Sequence, residues 1–356
     1  MKTGKTTLSD VAAAAGVSVS TASLVLSNSV GSSIPLATQT RVREAARSLQ
    51  YLPPKKRSSA IKSSLPVLIL TSDLTNPYYP ILVEHLERAA EKYDFQFLCC
   101  NTYHQVQRER FLLSQAEKGQ FFAVVFLYPP GDPEYAGKIN RKLPVVAICD
   151  KDAALGIDLI EMNNYQAGCI AAEHLLSCGH DRIAIFSSDP SRSISRSNRV
   201  RGATETIAQA GKLSTLFIAD RSALRDIPGD NTNYKTGVCL GRDMELPGHY
   251  SAIIAVNDMV AMGAMDALAN RGVCFPEDMS IIGFDNLLYT GLLRISLTTV
   301  DYHMDMLAQA AVALLYRRLH PQAAELLLSA TRFKVECPPN LVLRSSTAAY
   351  RDKTHS

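Results

Sequence analysis

The most informative stretch of this chain reads TLSDVAAAAGVSVSTASLVLSN and runs from Thr7 to Asn28. In its first half, apolar residues recur at i, i+3, i+4 and i+7, which predicts one buried face of a short helix. These residues are Leu8, Val11, Ala12 and Ala15. Gly16 can adopt the positive φ that a sharp turn between helices needs. The Ser18 hydroxyl is suited to cap the helix that follows.

The second half of the stretch predicts a second helix with two different faces. Ala22, Val25 and Leu26 face back toward the first helix, and a mostly polar set stays on or near the outside. The outward set is Val19, Ser20, Thr21 and Ser23. Two short helices that meet at a tight turn are typical of a helix-turn-helix, whose second helix enters the major groove of DNA.

A third helix is predicted before the two prolines at 53 and 54, because apolar residues keep helical spacing up to that point. They are Val42, Ala45, Ala46 and Leu49. A residue before proline avoids the α-helical region, so the helix ends there. The next segment is basic, rich in serine and too poor in apolar residues to fold alone. The sequence thus predicts an all-α headpiece at 1–52 and a hinge at 53–64.

Charge is unevenly distributed along the chain. Residues 1–64 carry nine lysines and arginines against two acidic residues, a net charge of +7, whereas the remainder carries −4. A basic N-terminal segment on a mildly acidic body indicates that only the N-terminal segment meets a polyanion.

From Val67 onward, short apolar strands alternate with helices in two series. Such strands predict parallel sheets covered on both faces, and two series predict two doubly wound lobes. The predicted core spans 65–346. Lobe 1 is assigned to about 65–162 and 293–322, lobe 2 to about 163–292 and 323–346, and a polar tail to 347–356. Ligands of such sheets bind beyond the carboxyl ends of the strands, which here face a cleft between the lobes.

Composition argues against several other classes of protein. Hydrophobic residues make up 47% of the chain, but no run of about 18 apolar residues indicates a membrane span. The absence of a signal-peptide pattern predicts a cytoplasmic protein. The eight cysteines form no C-x-x-C pair, and His174 and His180 near Cys178 fit surface or cap roles better than a metal site. Without phosphate-loop, Gly-x-Gly-x-x-Gly or nucleophile-elbow motifs, we predict no enzyme, catalytic residue, metal or cofactor.

Motifs spread over nearly the whole chain resemble those of the lac-repressor family of bacterial transcription regulators. In the headpiece they are Asp10-Val-Ala12, Ala15-Gly-Val-Ser18, Thr21, Ser23 and Tyr51-Leu-Pro53. In the body they are Asn76-Pro-Tyr-Tyr79, Asn163-Asn-Tyr165, Gly179-His-Asp-Arg-Ile-Ala184, Arg199-Val-Arg-Gly202, Asn257-Asp-Met-Val-Ala-Met-Gly263, Ile281-Ile-Gly-Phe-Asp-Asn286 and Leu297-Thr-Thr-Val300. Each motif is weakly specific alone, but their shared order and spacing are highly specific.

The resemblance implies a periplasmic-binding-protein-like core and a repressor of a catabolic or transport operon. It implies a homodimer whose two headpieces bind an inverted repeat in double-stranded operator DNA, since protein and operator symmetry then match. It also implies that a small-molecule effector binds between the lobes and changes the affinity for DNA. A sugar, a sugar phosphate or a nucleobase is expected. A sugar-binding transport protein without a regulatory role is the alternative, which the basic helical headpiece disfavours.

The resemblance assigns base reading to the second helix. Val19 and Ser20 match the family's main base-reading pair, with partial burial as the alternative for Val19. Thr21, Ser23 and Asn28 are expected to bind phosphates. Where Leu24 stands, many family members carry arginine, so base preference should differ there. The predicted DNA-binding set is Thr7, Ser18, Val19, Ser20, Thr21, Ser23, Asn28, Lys55, Lys56, Arg57 and Ile61.

The hinge departs from the family pattern, in which a leucine is wedged into the minor groove. Counting from Pro53 places Ala60 at that position, and counting from Pro54 places Ile61 there. We favour Ile61, because alanine is too small to unstack a base step. A disordered linker without a wedge is the alternative. Under either interpretation, the basic residues at 55–57 attract phosphates and make binding depend steeply on salt.

The predicted effector site gathers residues that follow the strands. They are Tyr78, Tyr79, Tyr128, Arg199, Asn257, Asp258 and Asp285. Asp285 can accept two sugar hydroxyls, and one of Tyr78 and Tyr79 can stack on a ring while the other belongs to the core. Arg199, expected to open a helix, binds ligand or forms an ion pair with a carboxylate of the lobe. Asp258 binds ligand or caps the following helix.

Overall fold

The computed structural model describes residues 7–26, 34–49, 51, 65–151, 155–219, 231–245, 249–321 and 331–351. The chain divides into two compact units, Met1–Ser63 and Ser64–Ser356. The first unit contains three helices and the second contains two parallel-sheet lobes.

The first unit is the predicted helix-turn-helix followed by a third helix. Its helices are α1 (Leu8–Ala15), α2 (Val19–Leu26) and α3 (Leu36–Ser48). The axes of α1 and α2 differ by 102°, and Gly16 makes the turn with φ 63° as predicted. Val11, Ala22 and Val42 are fully buried where the three helices meet. Small apolar side chains at these positions let short helices pack closely.

The sheet of lobe 1 has six parallel strands. Its order is β2 (Phe97–Asn101), β1 (Val67–Thr71), β3 (Ala123–Phe126), β4 (Val145–Asp150), β5 (Asp158–Met162) and β11 (Lys334–Cys337). Among the described residues, the helices of lobe 1 are α4 (Tyr78–Ala90), α5 (Val106–Glu117), α6 (Pro133–Ile139) and, much later in the sequence, α11 (Met304–Leu319). The central strands are buried on both faces, which explains their uninterrupted apolar sequence.

The sheet of lobe 2 repeats this arrangement. Its order is β7 (Leu213–Ile218), β6 (Arg182–Ser187), β8 (Ala252–Ala255), β9 (Ser280–Phe284), β10 (Thr298–Asp301) and β12 (Asn340–Val342), with β12 antiparallel to β10. Its helices are α7 (Asn164–Ser177), α8 (Ile194–Gln209), α9 (Thr232–Asp243) and α10 (Asp258–Ala269). Strand order reverses between β6 and β8, as it does between β1 and β3. Such switch points open ligand crevices at the carboxyl ends of the strands.

The predicted lobe boundaries are wrong at two strands. β10 was expected in lobe 1, but it pairs with β9 of lobe 2 from Thr298 to Val300. β11 was expected in lobe 2, but it pairs with β5 of lobe 1 from Lys334 to Cys337. β11 lies at the edge of its sheet, whereas β10 lies between β9 and β12. Which sheet a strand joins depends on backbone pairing, and apolar periodicity does not reveal that pairing.

The segment predicted as the start of a polar tail packs against lobe 2. Ser346 is fully buried and donates to the Ile281 carbonyl at 2.6 Å, and the Tyr350 amide donates to the Cys178 carbonyl at 2.8 Å. Buried His180 lies 3.2 Å from the Ala348 carbonyl oxygen. His180, for which a surface or cap role was expected, is therefore buried and binds the segment around Ala348, because buried polar groups need hydrogen-bond partners.

None of the described helices is by itself long and apolar enough to cross a membrane. The pair α1 and α2 passes on length and composition only when taken together, across its 102° break.

Candidate functional site

The outer surface of α2 presents a small mixed patch. Val19 is 48% exposed and Leu24 is 45% exposed, and Ser20 is exposed beside them. Val19 was predicted either to read bases or to be partly buried, and the structure places it among the exposed residues. The patch offers one hydroxyl for base-edge hydrogen bonds and two aliphatic side chains for thymine methyl groups.

The remaining polar residues of the predicted DNA-binding set also shape the helices. Thr7 and Asp10 form a capping box at the start of α1, with the Thr7 amide donating to Asp10 at 2.8 Å. Those hydrogen bonds hold the pKa of Asp10 below its usual value. Ser18 caps α2 as predicted, since its Oγ accepts from the Thr21 amide at 3.1 Å. Ser23 is half-buried. The predictions for Asn28, Lys55, Lys56, Arg57, Ala60 and Ile61 lie outside the described residues.

A second candidate site lies where the carboxyl ends of both sheets meet. Arg199 in α8 forms an ion pair with Asp285, which follows β9, at 3.5 Å between Nη2 and Oδ1. Its Nε donates to Asn164 Oδ1 at 2.7 Å, and its Nη1 donates to the Val256 carbonyl at 2.6 Å. The guanidinium also lies over the rings of Phe284 and Tyr302, about 5 Å from each centroid. Arg199 is therefore held rigidly from several sides.

Arg199 was predicted to open a helix, but it lies in the second turn of α8. The helix begins at Ile194, and Ser193 caps it through its hydroxyl, which accepts from the Arg196 amide at 3.4 Å. The good N-cap at Ser193 thus starts the helix five residues before Arg199.

Asp285 is a buried carboxylate with spare hydrogen-bonding capacity. Only 3% of the residue is exposed, and among the described residues no group donates a hydrogen bond to its side chain. Burial raises the pKa of Asp285 to about 6, and the opposing attraction of Arg199 offsets only part of this effect. An ionised carboxylate has several acceptor positions, so Asp285 can accept hydrogen bonds from a ligand in addition to its ion pair with Arg199.

The backbone around Asp285 is held in an unusual conformation. Asp285 has φ 106° and Asn286 has φ 51°, backbone angles that residues other than glycine rarely adopt. Arg344 holds this turn by donating to Asn286 Oδ1 at 2.5 Å, and the Asp285 amide donates to the Val300 carbonyl at 2.9 Å. Such conformations persist only where surrounding contacts enforce them, often at ligand sites.

Asp258 supports this turn from inside the core. It is fully buried, accepts from Thr299 Oγ1 at 2.6 Å and from the Leu287 amide at 2.9 Å, and so has both oxygens in use. The helix cap is Asn257, whose Oδ1 accepts from the Val260 amide at 2.8 Å. The helix cap predicted for Asp258 is therefore wrong. Its carboxylate binds Thr299 and the Leu287 amide within the protein, and the other predicted role was a ligand contact.

The three tyrosines predicted for the site differ in burial. Tyr78 is buried, with its hydroxyl 3.2 Å from Met162 Sδ, and Tyr79 is half-buried and accepts from Ser72 at 3.0 Å. Tyr128 is also buried, and its hydroxyl donates to the buried Glu109 carboxylate at 2.9 Å. Tyr79 is therefore the most accessible of the three rings, and Tyr128 supports the wall of the site from behind.

Sequence reasoning missed a polar network that joins the two lobes at this site. Asp150 at the end of β4 accepts from Asn164 at 2.7 Å and from Asn198 at 2.8 Å, and Asn164 also accepts from the buried Tyr302 hydroxyl at 2.7 Å. Asn164 belongs to a quoted family motif, so a signal existed. The pairing with Asp150 and Tyr302 could not be found, because those residues lie far apart in sequence.

Comparisons with known proteins agree with both parts of this description. Residues 7–54 match the model of bacterial regulatory proteins of the lacI family, and residues 172–347 match a periplasmic binding protein-like domain. The ribose operon repressor of Halalkalibacterium halodurans is 30% identical over 343 residues, covering 96% of this chain and 97% of that protein. The transcriptional regulator DegA of Bacillus subtilis is 28% identical, covering 97% of this chain and 98% of that protein.

Solved structures show the same fold. A lac repressor dimer bound to operator and the anti-inducer ONPF matches with a TM-score of 0.64 at 21% identity, covering 97% of this chain and 100% of that one. A transcriptional regulator from Enterococcus faecium with bound ribose matches with a TM-score of 0.67 at 21% identity, covering 80% of this chain and 100% of that one.

Proposed function

Because this chain belongs to the LacI family of bacterial transcription regulators, we propose that it represses a catabolic or transport operon under the control of a small molecule. The molecule binds between the lobes, and its binding changes the affinity of the headpiece for operator DNA. The expected class is a sugar or sugar derivative, with a nucleobase as the other candidate.

The observation that carries this proposal is the pair of Arg199 and Asp285 at the meeting edge of the two sheets. Arg199 is fixed by Asn164 and Val256, while the Asp285 carboxylate keeps free acceptor positions. A fixed donor beside a free acceptor matches a molecule with several hydroxyl groups. Tyr79 from lobe 1 supplies an accessible ring for stacking.

The proposed switch is a change in lobe arrangement. The Asn231 amide donates to the Thr75 carbonyl at 3.0 Å, and Asn164 reaches Asp150, so polar contacts already cross between the lobes. A ligand that binds one arrangement better than the other shifts their populations by its differential affinity. We propose a homodimer that reads an inverted repeat, since two headpieces then meet two equivalent half-sites.

The proposal is tested by selecting duplexes from a random pool with the full-length protein and titrating the selected DNA with and without candidate compounds. We expect inverted repeats and a compound that changes operator affinity. A protein that binds a sugar but selects no DNA would instead support the transport-type alternative.

Ser20→Ala is expected to relax operator preference. The Ser20 hydroxyl is exposed on α2, and loss of one base contact costs about 1–3 kcal/mol of discrimination. Affinity for random duplexes should change little, because phosphate contacts dominate it. Fluorescence anisotropy with operator and random DNA measures both quantities. Ser48→Ala, on the exposed surface of α3, is the matched control and should leave both unchanged. Equal losses on both DNAs in the Ser20 variant would refute the assignment.

Binding of an uncharged sugar is expected to weaken at acid pH. The Asp285 carboxylate accepts hydroxyls when ionised, and its pKa is raised to about 6. The charged or titratable groups around it are Arg199, Asp258, Tyr78, Tyr79, Tyr289 and Tyr302. One pH unit below the pKa should lower affinity about tenfold, as measured by calorimetry between pH 7.5 and 5.0. Asp285→Asn should bind weakly with a flat profile; an unchanged pH dependence in that variant would assign the effect to another group.

A further inference from the structure

Arg196 lies one helical turn before Arg199 in α8 and was not among the predicted site residues. Its side chain is half-buried, and its Nη1 donates to the Asp189 carbonyl at 3.0 Å. Among the described residues, this hydrogen bond holds one side of the guanidinium and leaves other N–H groups for a partner. Residues three apart lie on the same side of a helix, so Arg196 and Arg199 face the same region.

No carboxylate of the described residues lies within 4.0 Å of the Arg196 guanidinium. Asp189, the nearest candidate by sequence, directs its carboxylate to Ser191 at 2.7 Å and to Arg192 at 3.4 Å. Asp285 is matched with Arg199. Among the described residues, Arg196 therefore has no direct ion pair, although the Asp189 carboxylate acts on it from a longer distance, whereas Arg199 is paired with Asp285.

Groups from lobe 1 converge on the same region. Arg196 is close enough to Tyr79 to oppose the rise that burial causes in the pKa of that hydroxyl. His104 of lobe 1 has its pKa lowered, first by desolvation and also by repulsion from Arg196. A neutral imidazole retains one N–H donor. His104 follows Tyr103 in a left-handed turn after β2, with φ 57° and 55°, and its ring centroid lies 6.0 Å from that of Tyr128.

Among the described residues of lobe 1, the carboxylate that acts on this group is Asp73, and one of its oxygens already accepts two hydrogen bonds. Asp73 Oδ1 accepts from the Thr75 amide at 2.8 Å and from the Thr75 hydroxyl at 2.7 Å. It also acts on the pKa of His104 and Tyr79, but it forms no ion pair with Arg196 among the residues that the structure describes. Burial and the like charge of Arg199 both lower the pKa of Arg196, so its environment disfavours the positive charge in the absence of an anion.

We propose that the effector is an anionic sugar derivative, a phosphorylated sugar or a sugar acid, and that its anionic group pairs with Arg196. The sugar hydroxyls lie against Arg199 and Asp285, and His104 donates to the anionic group from lobe 1. A guanidinium presents paired N–H donors that match the oxygens of a phosphate or carboxylate. This inference rests on the interlobe cleft being the effector site, and it selects among the classes of molecule named above.

The test compares matched compounds on the full-length protein by calorimetry at constant ionic strength. One series is ribose, ribose 5-phosphate and ribonate, and the other is glucose, glucose 6-phosphate and gluconate, with inorganic phosphate and adenine added. We expect an anionic member to bind at least tenfold more tightly than its neutral parent, and phosphate alone to bind weakly. The phosphate and the acid of each series distinguish the two sources of negative charge.

Arg196→Gln should remove this preference and leave binding of the neutral parent within about threefold, because it keeps a polar side chain of similar length. Arg192→Gln, on the turn before α8 with a side chain 58% exposed, is the matched control and should retain the preference. Equal loss for neutral and anionic compounds in the Arg196 variant, or tighter binding of a neutral sugar or of adenine by the wild-type protein, would overturn the inference. Those outcomes leave the proposed function intact, which fails only if no compound changes DNA binding.

Discussion

Arg199→Ala is expected to bind operator DNA as the wild type does and to lose its response to the effector. The substitution removes the donors that reach Asn164 and Val256, and it leaves the buried Asp285 carboxylate without its ion pair. Loss of a hydrogen bond from a charged donor to the effector costs about 1.5–3 kcal/mol, so effector affinity should fall at least about tenfold. Operator titration with and without the compound that most stabilises the wild type measures the response.

Two further variants keep this prediction decisive. Asp285→Asn preserves the shape of the side chain and removes only its charge, so it should fold and also lose the response. The control is Arg201→Ala. Arg201 lies two residues farther along α8, and its exposed side chain stacks on Tyr165. The operator affinity of this variant should respond to the effector as that of the wild type does. A full response in the Arg199 and Asp285 variants would show that the effector binds elsewhere.

Gly202→Ala is expected to lower the free energy of unfolding of the core by about 2–4 kcal/mol. A Cβ at this position would lie 3.0 Å from the Tyr165 carbonyl carbon and closer still to its oxygen. Gly168 of α7 meets the backbone of α8 in the same way, so α7 and α8 approach each other through two glycines. Backbone atoms cannot rotate aside as a flexible side chain can. The helices must separate, and the 2.7 Å contact of Arg199 with Asn164 depends on their approach.

The matched control for this prediction is Gly137→Ala in α6. A Cβ there has no atom within 4 Å, and its φ lies outside the left-handed region. The control should be neutral or stabilise by about 0.5–1 kcal/mol, since alanine favours a helix. Chemical denaturation of both variants measures the difference. If both variants unfold at the same denaturant concentration as the wild type, the close approach of the helices is not a constraint on the core.

Local patterns predicted the headpiece because its contacts are close in sequence. The turn at Gly16, the cap at Ser18 and the buried face at Val11 and Ala15 all depend on neighbours within a few residues. The outward position of Ser20 follows from the same periodicity. No comparable pattern shows to which sheet β10 and β11 belong, because the sheet is decided by backbone pairing between strands.

The interlobe site was predicted in part. Asp285 and Arg199 were found because strand ends and a family motif both indicate them, and the structure brings the two together. Asp258 was assigned to the site because it is polar and follows a strand, but its carboxylate supports the turn at Leu287. The position of Arg196 one turn before Arg199 depends on where α8 begins, and the predicted start at Arg199 was five residues too late.

The most direct test of the central claim is a binding titration of the full-length protein on its selected inverted-repeat DNA. It is performed with and without the compound that most stabilises the protein. The coupling free energy between two sites in a switch of this kind is typically about 1–3 kcal/mol, so we expect at least about a fivefold change in operator affinity. That change should vanish in Asp285→Asn. If operator affinity is identical with and without a compound shown to occupy the cleft, then binding in the cleft does not control DNA binding and the proposed switch is wrong.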